Sequence, residues 1–254
     1  MITVKDIYDY IDSFAPFSQQ QSYDNSGLCA GEPDMPVKRV LTALDITSKV
    51  VEEAKEKDCQ LIISHHPVIF KGLKYLSMKN PAVALTSYGM AAVCAHTSFD
   101  SAQGGMNDIL CSVLGLEILE TLAYEEGKPI GYVCRLPLES SSARLASVCK
   151  KKLGCKAVRY TDAGGGITAV GVCSGSGGNL MDAAMAKGCQ ALITGDVKHS
   201  DFVAAENAGF CLIDAGHYYT ENVFHRALAD KLAEQFPELV IMQSESGKDP
   251  VSIV

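Results

Sequence analysis

Apolar residues along this chain recur at two periods, and the switches between them mark out its elements. Val4, Ile7, Tyr8, Ile11 and Phe14 stand at helical spacing. Thr3 precedes them as a cap, Asp6 follows it by three residues and Pro16 lies just beyond, so a first helix is predicted. Ser22-Tyr23-Asp24-Asn25-Ser26-Gly27 is turn chemistry. Apolar strand-like runs occupy residues 40–44, 61–63, 90–95, 131–136, 167–173, 191–194, 210–214 and 240–242. Helical spacing covers residues 48–57, 81–87, 106–114, 141–153, 180–187, 202–207 and 221–236. Strands alternating with helices predict an α/β fold with mostly parallel sheet.

Part of this pattern repeats. Lys57-Asp58-Cys59-Gln60-Leu61-Ile62-Ile63-Ser64 is echoed by Lys187-Gly188-Cys189-Gln190-Ala191-Leu192-Ile193-Thr194. Each copy follows a strand and a helix. Further on, Gly89 leads through a strand to His96 and Asp100, and Gly209 leads through a strand to His217 and Glu221. The expectation is two similar α/β/α layered halves related by internal duplication, residues 1–125 and 126–254. Their ligands would share one cleft.

Composition narrows the class. At 254 residues, 47% hydrophobic and 20% charged, the chain has the make-up of an ordinary globular protein. A net charge of −8 argues against a broad nucleic-acid-binding surface. No apolar run approaches the roughly 20 residues of a membrane span, and Met1 to Asp6 lacks the order of a signal peptide. The ten cysteines never form Cys-x-x-Cys. Cys94, Cys134, Cys173 and Cys211 lie inside strand-like runs and read as core residues of a reducing cytoplasm.

The candidate chemistry gathers at strand ends, where ligands of open α/β sheets sit. Leu61 to Ile63 runs into Ser64-His65-His66-Pro67, and Pro67 should stop the strand there. Adjacent residues at a strand end point in different directions. Such a pair serves one metal poorly but can give one histidine to each of two; the bland alternative is a pair that caps the strand with neutral hydrogen bonds. With His96, Asp100, His217 and Glu221 the set is imidazole and carboxylate, suited to zinc, iron, manganese, cobalt or nickel. Asp100 and Glu221 can each bind one metal or bridge two. His96 can be a ligand, or a donor that orients Asp100 or a bound water. His199, near Asp196, can orient a ligand or simply begin a helix, and His225 reads as a surface or packing residue. Ser174-Gly175-Ser176-Gly177-Gly178 follows a strand and opens a helix, a place where phosphate can bind. Leu180 occupies the third glycine position of a dinucleotide fingerprint and no P-loop lysine follows, so a tight turn is preferred.

With these motifs in place the chain resembles the NIF-three-like dinuclear metal-centre proteins, the GTP cyclohydrolase 1 type 2 homologues. The resemblance rests on Asp24-Asn25-Ser26-Gly27-Leu28, Ser64-His65-His66-Pro67 with Ile69-Phe70, and His96-Thr97 with Asp100. It continues through Ser174-Gly175-Ser176-Gly177, Thr194-Gly195-Asp196 with His199, and Gly216-His217 with Glu221. It covers essentially the whole chain, in the short form without a mid-chain insertion, and Tyr23 replaces the tryptophan of many members. It implies two metals per chain: His66 and Asp100 on one, His65 and His217 on the other, Glu221 bridging. It also implies a toroidal homo-hexamer with the sites facing an internal cavity.

Three functions of different class follow. A dinuclear hydrolase would open the guanine ring of GTP with release of formate, or cleave a nucleotide or other phosphoester. A non-catalytic hexameric interaction or metal-handling protein would use the same ligands without turnover. A nucleotide sensor would use the Ser174–Gly178 loop. The carboxylate-rich set favours catalysis on a small-molecule substrate, because structural zinc sites are usually closed by cysteine.

Overall fold

A computed structural model describes residues 1–254 and shows a mixed α/β chain with two sheets. The strands are β1 Gly27–Ala30, β2 Arg39–Ala43, β3 Leu61–Ser64, β4 Ala91–Cys94, β5 Glu117–Glu125 and β6 Lys128–Ser140. They continue as β7 Arg159–Tyr160, β8 Ile167–Ser176, β9 Ala191–Gly195, β10 Cys211–Asp214 and β11 Val240–Gln243. The helices are α1 Val4–Phe14, α2 Ser48–Glu56, α3 Pro81–Ser87, α4 Thr97–Ser101 and α5 Met106–Leu114. After them come α6 Ser142–Leu153, α7 Met181–Ala186, α8 His199–Asn207, α9 His217–Glu221 and α10 Phe224–Gln235.

The chain divides into two compact units, residues 1–103 with 224–248 and residues 104–223 with 249–254. The sequence division at 125/126 lies elsewhere, for two physical reasons. Helix α5 buries Leu110, Cys111 and Leu114 in the core of the second sheet. After α9 the chain returns to the first unit, where β11 pairs in parallel with β2, Ile241 opposite Val40.

In the first unit the strand order is β1-β4-β3-β2-β11. All neighbours are parallel except β1, which runs antiparallel to β4. Val50, Val51 and Ala54 of α2 and Ala84 and Leu85 of α3 cover one face, against Leu41, Ala43, Ile62 and Ala92. By the two-residue period, Leu61, Ile63 and Val93 face the other side. Thr3 caps α1 in a full capping box with Asp6, as its spacing predicts.

The second sheet has the order β5-β6-β8-β9-β10-β7. Only β8, β9 and β10 are mutually parallel, so this sheet is mixed where a mostly parallel one was expected. The hairpin β5–β6 accounts for the difference, because antiparallel strands can join through a short turn without a crossover helix. Helices α5 and α6 cover one face and α7 and α8 the other.

The repeat has a structural counterpart. Val40 pairs with Leu61 and Leu61 with Ala91; Val170 pairs with Ala191 and Ala191 with Cys211. The shared glutamine explains why the echo includes a polar residue. Gln60 Oε1 accepts from the amides of Lys38 and Arg39 at 3.0 Å, and its Nε2 donates to Asp58 O. Gln190 Oε1 accepts from the amides of Thr168 and Ala169 at 3.0 Å, and its Nε2 donates to Gly188 O. In each unit one side chain ties the start of the second strand of the repeat to the start of the first.

Candidate metal centre

The first unit presents its chemistry where β3 and β4 end. The backbone amide of His66 donates to Leu44 O at 2.9 Å, and Ala95 N donates to Ser64 O at 2.9 Å. These bonds extend the ladder past the strand ends and fix where the imidazoles leave. His65 is fully buried, its ring centre 5.0 Å from that of His66 and 5.1 Å from that of His96. One ring nitrogen from each of the three lies within 4.8 Å of the others.

The tautomers are set by neighbours. His65 Nδ1 lies 2.8 Å from Ala95 O, and a carbonyl only accepts. The proton therefore sits on Nδ1 and the lone pair on Nε2. His66 Nδ1 lies 2.8 Å from Asp45 Oδ1, and His96 Nδ1 lies 2.7 Å from Asp24 Oδ1. Asp24 is a hub. Its Oδ2 also accepts from Ser26 Oγ, Thr97 N and Thr97 Oγ1. Burial works against its charge, but the bonds from His96, Thr97 and Ser26 prevail and hold the carboxyl well below the usual carboxylate range. Asn25 Nδ2 donates to Ile69 O at 2.7 Å. The Asp-Asn-Ser motif thus orients His96 and fastens the segment after His-His-Pro. Asp100 follows His96 on α4, and its Oδ1 lies 3.5 Å from His65 Nε2.

The second unit places His217 and Glu221 at the first and last positions of α9. This corrects the expectation that Glu221 starts the final helix: α9 ends at Glu221, and α10 begins at Phe224. The four-residue spacing within one short helix brings His217 Nε2 to 2.9 Å from Glu221 Oε2. His217 Nδ1 lies 2.7 Å from Asp196 Oδ2. Asp196 has φ +52, in the left-handed region that aspartate tolerates better than most residues. Burial lowers the proton affinity of His217, but Glu221 and Asp196 outweigh it and raise its pKa to about 9.

The Ser174–Gly178 segment belongs to this architecture. Strand β8 runs on to Ser176, and the amides of Ser174, Gly175 and Gly177 donate to Asn107 Oδ1, Thr220 Oγ1 and Thr194 Oγ1. Three of the loop's amides are thus engaged by side chains of the same unit, as a tight turn needs. Gly175 has φ +63, and a Cβ there would come within 2.3 Å of Glu221 Oε1. Only glycine lets the backbone pass this close to the carboxylate.

The donor chemistry fits divalent cations. In each of four histidines Nδ1 meets an oxygen acceptor, the outer arrangement that orients metal-binding imidazoles and leaves Nε2 as the atom that can coordinate. Two of those Nε2 atoms face carboxylates, His65 toward Asp100 and His217 toward Glu221. At His217 a proton on Nε2 satisfies the pair with Glu221, and a divalent cation coordinated by both atoms can take that proton's place. Asp45 and Asp24 carry no recognisable spacing to their histidines. Asp24 and Asp196 do stand in motifs, Asp24-Asn25-Ser26-Gly27 and Thr194-Gly195-Asp196, whereas Asp45 stands in none. His199 is the exposed first residue of α8. His225 is buried in α10, so of its two expected roles packing is the one it plays.

Fold and donors together define a duplicated α/β protein with a candidate metal centre. The family model described as Duf34/NIF3 (NGG1p interacting factor 3) matches residues 2–250, and the chain belongs to that family. It is 30% identical over 98% of both chains to a Clostridium acetobutylicum protein named GTP cyclohydrolase 1 type 2 homolog. It is 30% identical over 100% of both chains to the Helicobacter pylori protein named GTP cyclohydrolase 1 type 2. A crystal structure of a Staphylococcus aureus hypothetical protein superposes with TM-score 0.91 at 28% identity, covering 99% of both chains.

Proposed function

We propose that this chain is a dinuclear metal-dependent hydrolase of GTP cyclohydrolase type, acting on GTP or on another nucleotide or phosphoester. The observation that carries the reading is the uniform presentation of four imidazoles, each with Nδ1 toward an oxygen and Nε2 left as the atom that can coordinate. The proposed ligands are His66 and Asp100 for one ion, His65 and His217 for the other, and Glu221 for both. Bound divalent ions would polarise a carbonyl or phosphoryl oxygen and lower the pKa of water.

The remaining steps fall to the protein. Asp45 and Asp196 hold the Nδ1 protons of His66 and His217, so both imidazoles keep one orientation. His96, 17% exposed at its side chain, is the proposed proton carrier. Asp24 fixes the proton at its Nδ1, and Nε2 can take a second one from water or return it to a leaving group.

The cytoplasm is the proposed compartment. All ten cysteines are free and nine are buried, which suits a reducing environment. No helix is long and apolar enough to cross a membrane. A homo-hexamer is the proposed assembly. It is supported by exposed Leu119 and Tyr124 on edge strand β5 and Leu138 on β6, apolar surface that an assembly would cover.

The test is reconstitution with each candidate metal under anaerobic conditions, elemental analysis and a turnover screen over GTP, other nucleotides and phosphoesters. Two ions per chain with metal-dependent turnover is the expected result. A single tightly held ion that survives His65→Ala would sink the dinuclear reading; two ions without turnover would leave a metal-handling or interaction protein. Light scattering checks the assembly, and a mass of one chain across a dilution series would refute the hexamer.

A further inference from the structure

Beside the imidazoles runs a segment whose composition breaks with the rest of the chain. Between Pro67 and Pro81 there are three lysines and no acidic residue, in a protein of net charge −8. The stretch holds no helix or strand. Lys71, Lys74 and Lys79 are exposed, and so are Phe70 at 48% and Tyr75 at 78%. Surface loops are normally built from small and polar residues. Large apolar side chains exposed beside a polar site mark a binding surface.

The base of the segment is anchored next to the imidazoles. Asn25 Nδ2 holds Ile69 O. The Phe70 ring lies 6.2 Å from that of His96 and 6.4 Å from that of Tyr23, itself 56% exposed. One exposed aromatic ring therefore borders the proposed proton carrier, a second stands beside that ring, and a cationic stretch continues directly from Phe70. A flat π-face next to point positive charges matches a planar base carrying phosphates.

We propose that residues 68–80, together with Tyr23, form a nucleotide-binding strap. Phe70 and Tyr23 take the face of the base, and Lys71 and Lys74 take the phosphates. This assignment rests on the reading of the centre as one that acts on nucleotides, and it names the groups that would select them. Stacking places the base against His96 and leaves the phosphates toward solvent, where lysine ammonium groups reach them as mobile charges.

The test is equilibrium dialysis of the metal-loaded full chain with 7-deaza-GTP, whose five-membered ring cannot be opened, and with 7-deazaguanosine. Metal content and light-scattering mass are measured on the same samples. Lys71→Ala/Lys74→Ala should weaken 7-deaza-GTP binding by about tenfold or more and change 7-deazaguanosine binding less than about twofold. Phe70→Ala should weaken both by about tenfold, the size of one stacking contact, and Phe70→Tyr should restore them. Metal content and mass should stay at wild-type values in all variants. Unchanged nucleotide affinity in the lysine variant would overturn the strap. A changed mass would overturn it too, by making the segment a contact between copies of the chain. Two bound metals with no nucleotide binding by wild type would defeat the strap and leave the metal reading standing. Lysine-dependent binding of 7-deaza-GTP, with GTP itself left intact by the metal-loaded chain, would keep the strap and defeat the hydrolase reading.

Discussion

The two units carry the same scaffold and different chemistry. Gln60 and Gln190 make matching clamps, and the parallel strands that follow them pair in matching registers. At the strand ends the likeness stops. In the register that sets Leu61 against Ala191, His65 corresponds to Gly195 and His66 to Asp196. A Cβ on Gly195 would come within 2.4 Å of His217 N, so the second unit cannot hold a histidine there while His217 stays in place. His96 and His217 look equivalent as His-x-x-x-acid motifs. Yet pairing Ala91 with Leu61 and Cys211 with Ala191 aligns His217 with Thr97, one residue on. Duplication has preserved the framework that positions loops while the loops diverged, as expected where function sits on connections held by a rigid scaffold.

That asymmetry is easiest to break at Glu221. In the proposed centre it is the one ligand shared by both ions, so Glu221→Gln should weaken metal binding at both positions by about 100-fold or more and remove most turnover. His66→Ala should mainly empty one. Gln is nearly as good a helix former as Glu, so α9 should persist. Elemental analysis and a crystal structure of the loaded variant check this. Two ions at full occupancy would pass the bridging role to Asp100.

A smaller effect is expected at Gly175, the residue that lets β8 pass beside Glu221. Gly175→Ala adds a Cβ at a φ of +63 and pushes it against Oε1 of that carboxylate. Metal affinity should fall by about tenfold to 100-fold, the scale of a misplaced supporting shell. Backbone strain should add about 1–3 kcal/mol of destabilisation. Titration of metal into the stripped variant, with thermal unfolding alongside, measures both. Wild-type affinity would show that the carboxylate can move aside, and the second unit would lose its claim to a preorganised pair.

How far the sequence could be read follows the same divide. Periodicity located α1, α2, α3, α5 and α6 and the buried strands β2, β3, β4, β8, β9 and β10, because their apolar residues all meet a core. Strand β5 escaped it. In Glu117–Glu125 only Leu122 is buried, so no alternation is visible and pairing with β6 decides the conformation. Helices α4 and α9 are five residues long, too short for a periodic signal. The histidines and acids were legible by their place at strand ends. Their pairing with orienting acids was not: Asp24 stands in a motif and Asp45 in none, but they lie 72 and 21 residues from the imidazoles they hold, and only the fold makes them neighbours.

Below the chemistry, the matched clamps allow a paired measurement. Gln60→Ala and Gln190→Ala each strip two backbone amides of their acceptor. Each should cost about 1–3 kcal/mol, and the two costs should agree within about 1 kcal/mol, because the backbone bonds lost are the same and Gln190 adds only a 3.3 Å bond from Thr168 Oγ1. Denaturant unfolding of the two variants reads this directly. A large cost in one and none in the other would mean that the repeat retains its sequence without retaining its energetic role.

The smallest expected effect separates the units by acid. In the first unit Glu53 of α2 holds the chain just past β11. It accepts from Ser244 Oγ and from the amides of Glu245 and Ser246, and it pairs with Lys57 at 2.7 Å. Burial opposes its charge, but the bonds from Lys57, Ser244 and the two amides prevail and bring its pKa down to about 2. The ordinary value is 4.5. The folded value lies below the unfolded one, so the contribution is complete above about pH 4.5 and disappears as pH falls toward 2. Glu53→Gln should therefore destabilise by about 1–2 kcal/mol at pH 7 and by progressively less below pH 4.5. In the second unit the edge strand β7 is held differently, by Arg159 to Asp214 and by Thr161, which donates to Phe210 O and accepts from Leu212 N. Amide hydrogen exchange between pH 4.5 and 3 should accordingly show the Glu53-dependent loss of protection in β11 and not in β7. A destabilisation by Glu53→Gln that stays constant from pH 7 to 3 would show that the carboxylate's charge contributes nothing and that only its shape is used.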